Sequence, residues 1–337
     1  MPRFWRKWVC SAVLIAAAAL NAQDSPANLE RKMQLLDENE VQRVLAGAER
    51  GNPQSQLWAG LIYDMGIHVN ADQRRALSYY KKASDQGSLP AAFYLAGMYL
   101  TGAGVTRDNA KALQLYRLAG EGGYPAAENV LGSLYSEGRG VKKDLAEAFR
   151  WFERAAKHGF DEGQYNLGLM YRDGEGVARD CHLAVHWLTE AANQLYAPAQ
   201  TTIGDLYSQA VCVPQDDEKA AKIYALAANQ GEPAAQNDLG ACYKIGRGVS
   251  QSDTEAFHWF TLSAEAGNAH GQFNLSQMYR DGAGVQKDYV TAYKWAELAS
   301  RGGVEVDLRV FLRSKMSREE IARAEADAAD WLKTHQH

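Results

Sequence analysis

The chain has 337 residues, 46% of them apolar, and a formal charge of −5 at neutral pH. It is long enough to bury a large core, and length alone allows about two domains. An acidic balance argues against nucleic acid and against anionic lipid as partners.

Residues 1–22 read as a secretory signal. Arg3, Arg6 and Lys7 form a basic start, Val9 to Leu20 an apolar run, and Leu20-Asn21-Ala22 a cleavage site before Gln23. The run is too short to span a bilayer as a helix, and no later segment is uncharged over a spanning length. Cys10 stands at the start of the run, whereas a lipid-accepting cysteine would follow it. Cleavage removes three basic and no acidic residues and takes the charge from −5 to −8. The chain is expected in the periplasm or the medium.

Residues 23–50 are read as a linker and a capping helix, Glu38 to Arg50, which closes on Gly51 and has the placement of a second helix lacking its first. Residues 51–303 repeat. Tyr63, Tyr99, Tyr135, Tyr171, Tyr207, Tyr243 and Tyr279 stand 36 residues apart without a slip. Four residues before each comes an apolar residue (Ala59, Leu95, Leu131 and so on), and three before a small one (Gly60, Ala96, Gly132), which describes a first helix packed tightly on a second. A glycine turn follows, such as Gly138-Arg139-Gly140-Val141, and then a capping aspartate nine residues after most of the tyrosines. The second helix carries a constant alanine (Ala76 to Ala292) and a bulky residue (Tyr79, Leu115, Trp151, Trp187, Ile223, Trp259, Trp295) read as core, and it usually ends on glycine. Residues 304–337 supply a C-terminal cap, Ser317 to Lys333, with Met316, Ile321, Ala324, Ala328 and Trp331 covering the last repeat.

Self-similarity at this period marks a stacked solenoid. The motif A-x-x-x-L-G-x-x-Y-x-x-G-x-G-V-x-x-D-x-x-x-A-x-x-W-[FY]-x-x-A-A-x-x-G, complete from Ala127 to Gly159, resembles the Sel1-like repeat family, related to tetratricopeptide arrays. The resemblance implies an all-α protein, an α/α solenoid (right-handed superhelix) of about seven helix-turn-helix repeats with terminal capping helices, serving protein–protein interaction.

The units depart from their rule between the fourth and fifth tyrosines. Leu195 replaces the glycine stop, and the turn Gln209-Ala210-Val211-Cys212-Val213 has lost both glycines. Equivalent turns stack along one edge, so Cys181 and Cys212 are expected to form a structural disulfide, leaving Cys242 a buried thiol.

Other signals are weaker than the repeat. His182 and His186 share a helix face, yet positions matching His186 hold Ser78, Gln114, Arg150 and Lys222, a solvated face rather than a metal site. The Gly-x-Gly turns lack the lysine and hydroxyl pair of a phosphate loop. Ser78 to Lys81 forms an S-x-x-K, without the S-D-N and K-T-G partners of penicillin-processing enzymes. No catalytic, cofactor or metal residue is assigned.

The predicted function is a non-catalytic protein–protein interaction scaffold exported to the cell envelope. Its alternatives are a secreted binder of host proteins and a weak penicillin-binding or β-lactam-processing enzyme. A binding groove is assigned to first-helix positions that vary while the scaffold stays constant. At its apolar end Trp58, Leu61, Tyr94 and Leu100 would take an apolar segment. Further along, Asn166, Arg172, Asp238, Asn274 and Arg280 would face polar or anionic groups.

Overall fold

A computed structural model describes residues 25–304 and 308–335; the proposed signal, 1–22, lies outside the described residues. Among these residues there are only helices and turns, in two compact units. The N-terminal unit, ending at Arg179, holds α1 (Pro26–Gln34), α2 (Glu38–Glu49), α3 (Pro53–Met65), α4 (Gln73–Asp85), α5 (Leu89–Thr101), α6 (Asn109–Glu121), α7 (Pro125–Glu137), α8 (Leu145–Lys157) and α9 (Asp161–Asp173). The C-terminal unit, beginning at Asp180, holds α10 (Cys181–Asn193), α11 (Ala197–Ser208), α12 (Asp217–Asn229), α13 (Pro233–Ile245), α14 (Asp253–Glu265), α15 (Ala269–Asp281), α16 (Tyr289–Arg301), α17 (Leu308–Arg313) and α18 (Arg318–Thr334). Within each unit consecutive helices pack in antiparallel hairpins, the arrangement of an α/α solenoid.

The turn between paired helices closes on the repeated tyrosine. The amide of the capping residue donates to the tyrosine carbonyl, from Asp72 to Tyr63, Asp108 to Tyr99 and Asp144 to Tyr135, each at 2.9 Å. The same aspartates accept second-helix amides, as Lys111 N to Asp108 Oδ1 at 2.9 Å, satisfying donors that an uncapped helix leaves open. Where aspartate is absent, Ser252 does this work for α14.

The small residue three before the tyrosine is explained by the ring that covers it. A Cβ added at Gly132 would fall 2.6 Å from the Phe152 ring, and one at Gly240 2.8 Å from Phe260. The residues at this position follow the bulky residue singled out in the sequence by one place, and they are the more deeply buried: Phe152 against Trp151, Leu188 against Trp187, Phe260 against Trp259. The main knob of the repeat is therefore the second of the two bulky residues.

The two ends contain more structure than their sequence predicts. α1 occupies part of the segment read as linker. Ser25 caps it, Pro26 opens it with a preset φ, and Leu29 and Met33, one turn apart, are buried at 2% and 0% exposure. At the C-terminus α17 precedes α18, whose Ser317 and Glu320 make a reciprocal capping box. Ala324 and Ala328 are buried there, and Trp331 meets Trp295 edge-on at 6.0 Å.

Candidate functional site

The first-helix positions assigned to a groove have three different surroundings. In the N-terminal unit, Trp58 and Leu61 are only 6% and 2% exposed. They share one apolar cluster with Leu29 and Met33 of α1, which packs on α3. The apolar end is thus already filled by the chain's own helix, which corrects the expectation that these side chains are open. Tyr94 is half-buried, stacks on Tyr80 at 5.3 Å, and has a hydroxyl without a hydrogen-bond partner among the described residues. Burial and the nearby Tyr124 and Glu30 push its phenol well above the usual range.

Farther along this unit, Asn166 is half-buried and donates to Asn129 Oδ1 at 2.8 Å, while Asn129 donates to Glu162 at 3.0 Å. Arg172 turns onto its chain neighbour Asp173 with two 2.7 Å hydrogen bonds, so its charge is partly answered in place.

The C-terminal unit repeats the pattern. Asn274 donates to Asn237 Oδ1 at 2.8 Å, and Arg280 pairs with Asp281 through two 2.6 Å bonds. Asp238, half-buried, accepts from Asn237 at 3.1 Å. Burial, with the Asp205 carboxylate adding to it, pushes its carboxyl up to about 6. Asp205 itself accepts from the Tyr224 hydroxyl at 2.7 Å.

Cys181 and Cys212 are joined, with their Cα atoms 4.9 Å apart, and tie the start of α10 to the turn after α11. Cys242 is a buried free thiol whose pKa burial pushes up to about 11. His182 and His186 are exposed, the second against Trp187, and among the described residues no group of three His, Cys, Asp or Glu is placed to hold a metal. Ser78 and Lys81 lie on an exposed face of α4.

Sequence reasoning passed over one buried position. Seven residues before the tyrosine, Gln56, Gln164, Gln200, Gln236 and Gln272 are nearly fully buried, and each donates to a backbone carbonyl eight residues back, at 3.2–3.4 Å. At this position the third repeat has Glu128, fully buried, with its Oε2 2.7 Å from His158 Nδ1. Arg154 approaches the other oxygen to 3.0 Å as a charge contact whose angle leaves Oε1 without a hydrogen bond. Lining up the seven glutamine-position residues would have shown it.

Paired helices in register, a constant core and a variable first-helix face define a solenoid repeat protein, a class whose fold is typical of protein–protein interaction scaffolds. The family model described as Sel1 repeat matches residues 53–88, 89–124, 125–160, 161–194, 197–232, 233–268 and 269–304, and the chain belongs to the Sel1 repeat family. The one break in the match, 195–196, falls where Leu195 stands for glycine. A protective antigen of uropathogenic Escherichia coli displaying an SLR fold is similar in structure, with a TM-score of 0.74 and 29% identity over 87% of this chain. The chain spans 64% of that protein's length. A Sel1 repeat protein from Oxalobacter formigenes is 31% identical, with a TM-score of 0.66, covering 86% of this chain and 85% of its own. A comparison with curated proteins returns no match.

Proposed function

We propose that the protein is a non-catalytic scaffold, exported to the cell envelope, that holds a segment of another protein along its first helices. The observation that carries the reading is the pair of matching polar stations, one in each unit, Asn129–Asn166 with Arg172 and Asn237–Asn274 with Arg280, each among first-helix positions that vary. Amide pairs suit peptide groups, and guanidinium forks suit carboxylates. Because α1 fills the apolar end, the docking contacts are polar. Charge reversal at Arg172 and Arg280 together should weaken capture of a crosslinked envelope partner without altering thermal stability; undiminished capture would count against the reading.

The basic and apolar start, Arg3 to Leu20, supports export, and the similarity to a protective antigen is in keeping with a protein that leaves the cytoplasm. Fractionation separates a periplasmic scaffold from a secreted binder of host proteins. The penicillin-processing alternative rests on Ser78 and Lys81 alone, on an exposed helix face, and nitrocefin turnover by the purified chain is its test.

A further inference from the structure

Two neighbourhoods three repeats apart are built from equivalent positions but differ in charge. In the C-terminal unit, Arg247 reaches from the turn after α13 to the preceding repeat. Its Nε donates to Asp217 Oδ1 at 2.8 Å, and a terminal nitrogen donates to the Ser208 carbonyl. Tyr224 donates to Asp205 Oδ1 at 2.7 Å, and its oxygen lies 3.2 Å from the Ser208 hydroxyl. Two carboxylates thus answer one guanidinium and one phenol.

In the N-terminal unit the guanidinium and the phenol are kept, as Arg139 and Tyr116, but both carboxylates are gone. Gly97 stands for Asp205, Asn109 for Asp217, and Leu100 for Ser208. The turn is also open here. A Cβ added at Gly140 would meet nothing within 4 Å, whereas at Gly176 or Gly248 it would collide with a main-chain carbonyl of the preceding repeat. The result is a cavity of about 220 Å³ bordered by Leu100, Arg107, Asn109, Tyr116 and Arg139.

Its polar groups are donors awaiting an acceptor. Tyr116 is only 5% exposed, and among the described residues its hydroxyl has no hydrogen-bond partner. Among the described residues Arg139 pairs with Glu137 alone, at 3.3 Å, with both side chains more than half exposed, a kind of pair worth little in water. Arg107 donates its Nε to Asn109 Oδ1 at 3.1 Å and so engages the neutral acceptor that replaces the Asp217 carboxylate. A Cβ on Gly97 would stand 3.6 Å from the Tyr116 hydroxyl, the side from which Asp205 reaches Tyr224.

We propose that this cavity binds a carboxylate, contributed by an acidic side chain of the docked partner segment, in the place that Asp205 and Asp217 fill in the other unit. The source of the carboxylate rests on the scaffold reading; the charge of the cavity does not. A neutral amide fits worse, because its NH₂ would oppose guanidinium and phenol donors.

The test uses the full chain and two blocked tripeptides, acetyl-Gly-Glu-Gly-amide and its glutamine twin, with N-acetylglutamate as a free acid. NMR signals of the Gly140 amide and the Arg139 side chain report binding. The Glu peptide should shift them saturably, and the Gln peptide should bind about tenfold more weakly, the factor for losing one charge-assisted hydrogen bond. Gly97→Asp and, independently, the exposed Asn109→Asp supply the missing carboxylate internally and should abolish the shifts, as should Arg139→Ala. Equal response to both peptides, or unaltered binding in Asn109→Asp, overturns the proposal. Binding of N-acetylglutamate without the Glu peptide overturns the peptide source and makes the cavity a site for a small free acid. Because isolated peptides are used, a failed capture assay with the Arg172 and Arg280 variant leaves this result standing.

Discussion

Cys181 and Cys212 occupy two positions that, in other pairs of neighbouring turns, press a glycine onto the preceding repeat. Gly176 meets Leu145 in this way, Gly248 meets Asp217, and Gly284 meets Asp253. Cys212 takes the glycine position and keeps its left-handed backbone, with φ 63°. Close approach thereby becomes a covalent link. In the chain-entropy picture a bridge over a sequence separation of 31 contributes about 3–4 kcal/mol. Reduction, or Cys181→Ala with Cys212→Ala, should lower the unfolding free energy by about that much. Urea titrations with and without reductant measure it, and coincident curves would exclude a bridge in solution.

Two further residues nearby are in the left-handed region: Leu195, in the turn before α11, with φ 66°, and Ala210, in the same turn as Cys212, with φ 57°. Their counterparts are Gly159 and Gly231 for the first, Gly138 and Gly246 for the second. A left-handed non-glycine residue costs about 1–2 kcal/mol, less the entropy that glycine adds to the unfolded chain. Leu195→Gly and Ala210→Gly should each raise stability by about 0.5–1 kcal/mol in thermal melts; Leu195→Gly also removes a 68%-exposed leucine.

The solenoid was legible because seven copies calibrate one another: tyrosine, glycine turn and capping aspartate each recur at a fixed offset. Legibility failed where only one copy exists. α1 has no counterpart, so nothing in the repeat pattern announced that Leu29 and Met33 would cover Trp58 and Leu61. Those two varied like an open stripe, yet they vary because they face a unique helix instead of a repeat. Glu128 is different: it stands where five other copies carry glutamine, so the sequence shows the departure, and only coordinates reveal His158 as its partner. Gly97 and Asn109 sit at positions that vary from repeat to repeat, so nothing in the pattern marked them.

Glu128 tests how a buried carboxylate is tolerated at a glutamine position. Gln56 accepts from Gln86 at 2.7 Å and Gln200 from Gln230 at 2.7 Å, a clasp across each helix pair; His158 holds the equivalent place opposite Glu128. Removing a partner from a buried charge costs about 3–5 kcal/mol, while replacing the whole pair is close to neutral. Since Arg154 is partly exposed, Arg154→Ala should cost about 2–3 kcal/mol. The double variant Glu128→Gln with His158→Gln rebuilds the clasp and should melt near the parent. In that background Arg154→Ala should lose most of its effect, a coupling that a double-mutant cycle reads directly.

Asp238 gives the C-terminal unit a pH dependence of definite sign. Its folded pKa, raised to about 6 by burial and then by Asp205, exceeds the ordinary 3.8, so the folded state binds this proton more tightly than the unfolded state. Stability from this group is therefore greatest in acid, falls as pH rises from about 4 to about 6, and stays low above; the whole fall is at most about 3 kcal/mol. Asp238→Asn should be more stable than the parent at pH 7 and should lose this slope. Chemical unfolding between pH 4 and 7 decides it, and a parent curve that rises across this window instead would contradict the assignment.

α1 has only nine residues, and its docking depends on two side chains. Burying Leu29 and Met33 contributes about 1.5–3 kcal/mol each, against a backbone ordering cost of about 1–2 kcal/mol per residue that internal hydrogen bonds only partly offset. Such a helix detaches locally before the repeats unfold. Its tether is short, since the His68 ring contacts the Leu36 carbonyl at 2.9 Å and the Asp37–Glu40 box fixes the start of α2. Leu29→Ala with Met33→Ala should therefore leave the main melting transition nearly in place while exposing Trp58 and Leu61. The expected signs are a red shift in tryptophan emission, increased binding of an apolar dye, and cleavage by protease near Leu35, which is already 78% exposed. The bared stretch of Trp58, Leu61 and Tyr94 is then free for an apolar segment of a partner, so the variant should capture peptides that the parent refuses. Unchanged emission and dye binding would mean that α1 contributes nothing to closing this face.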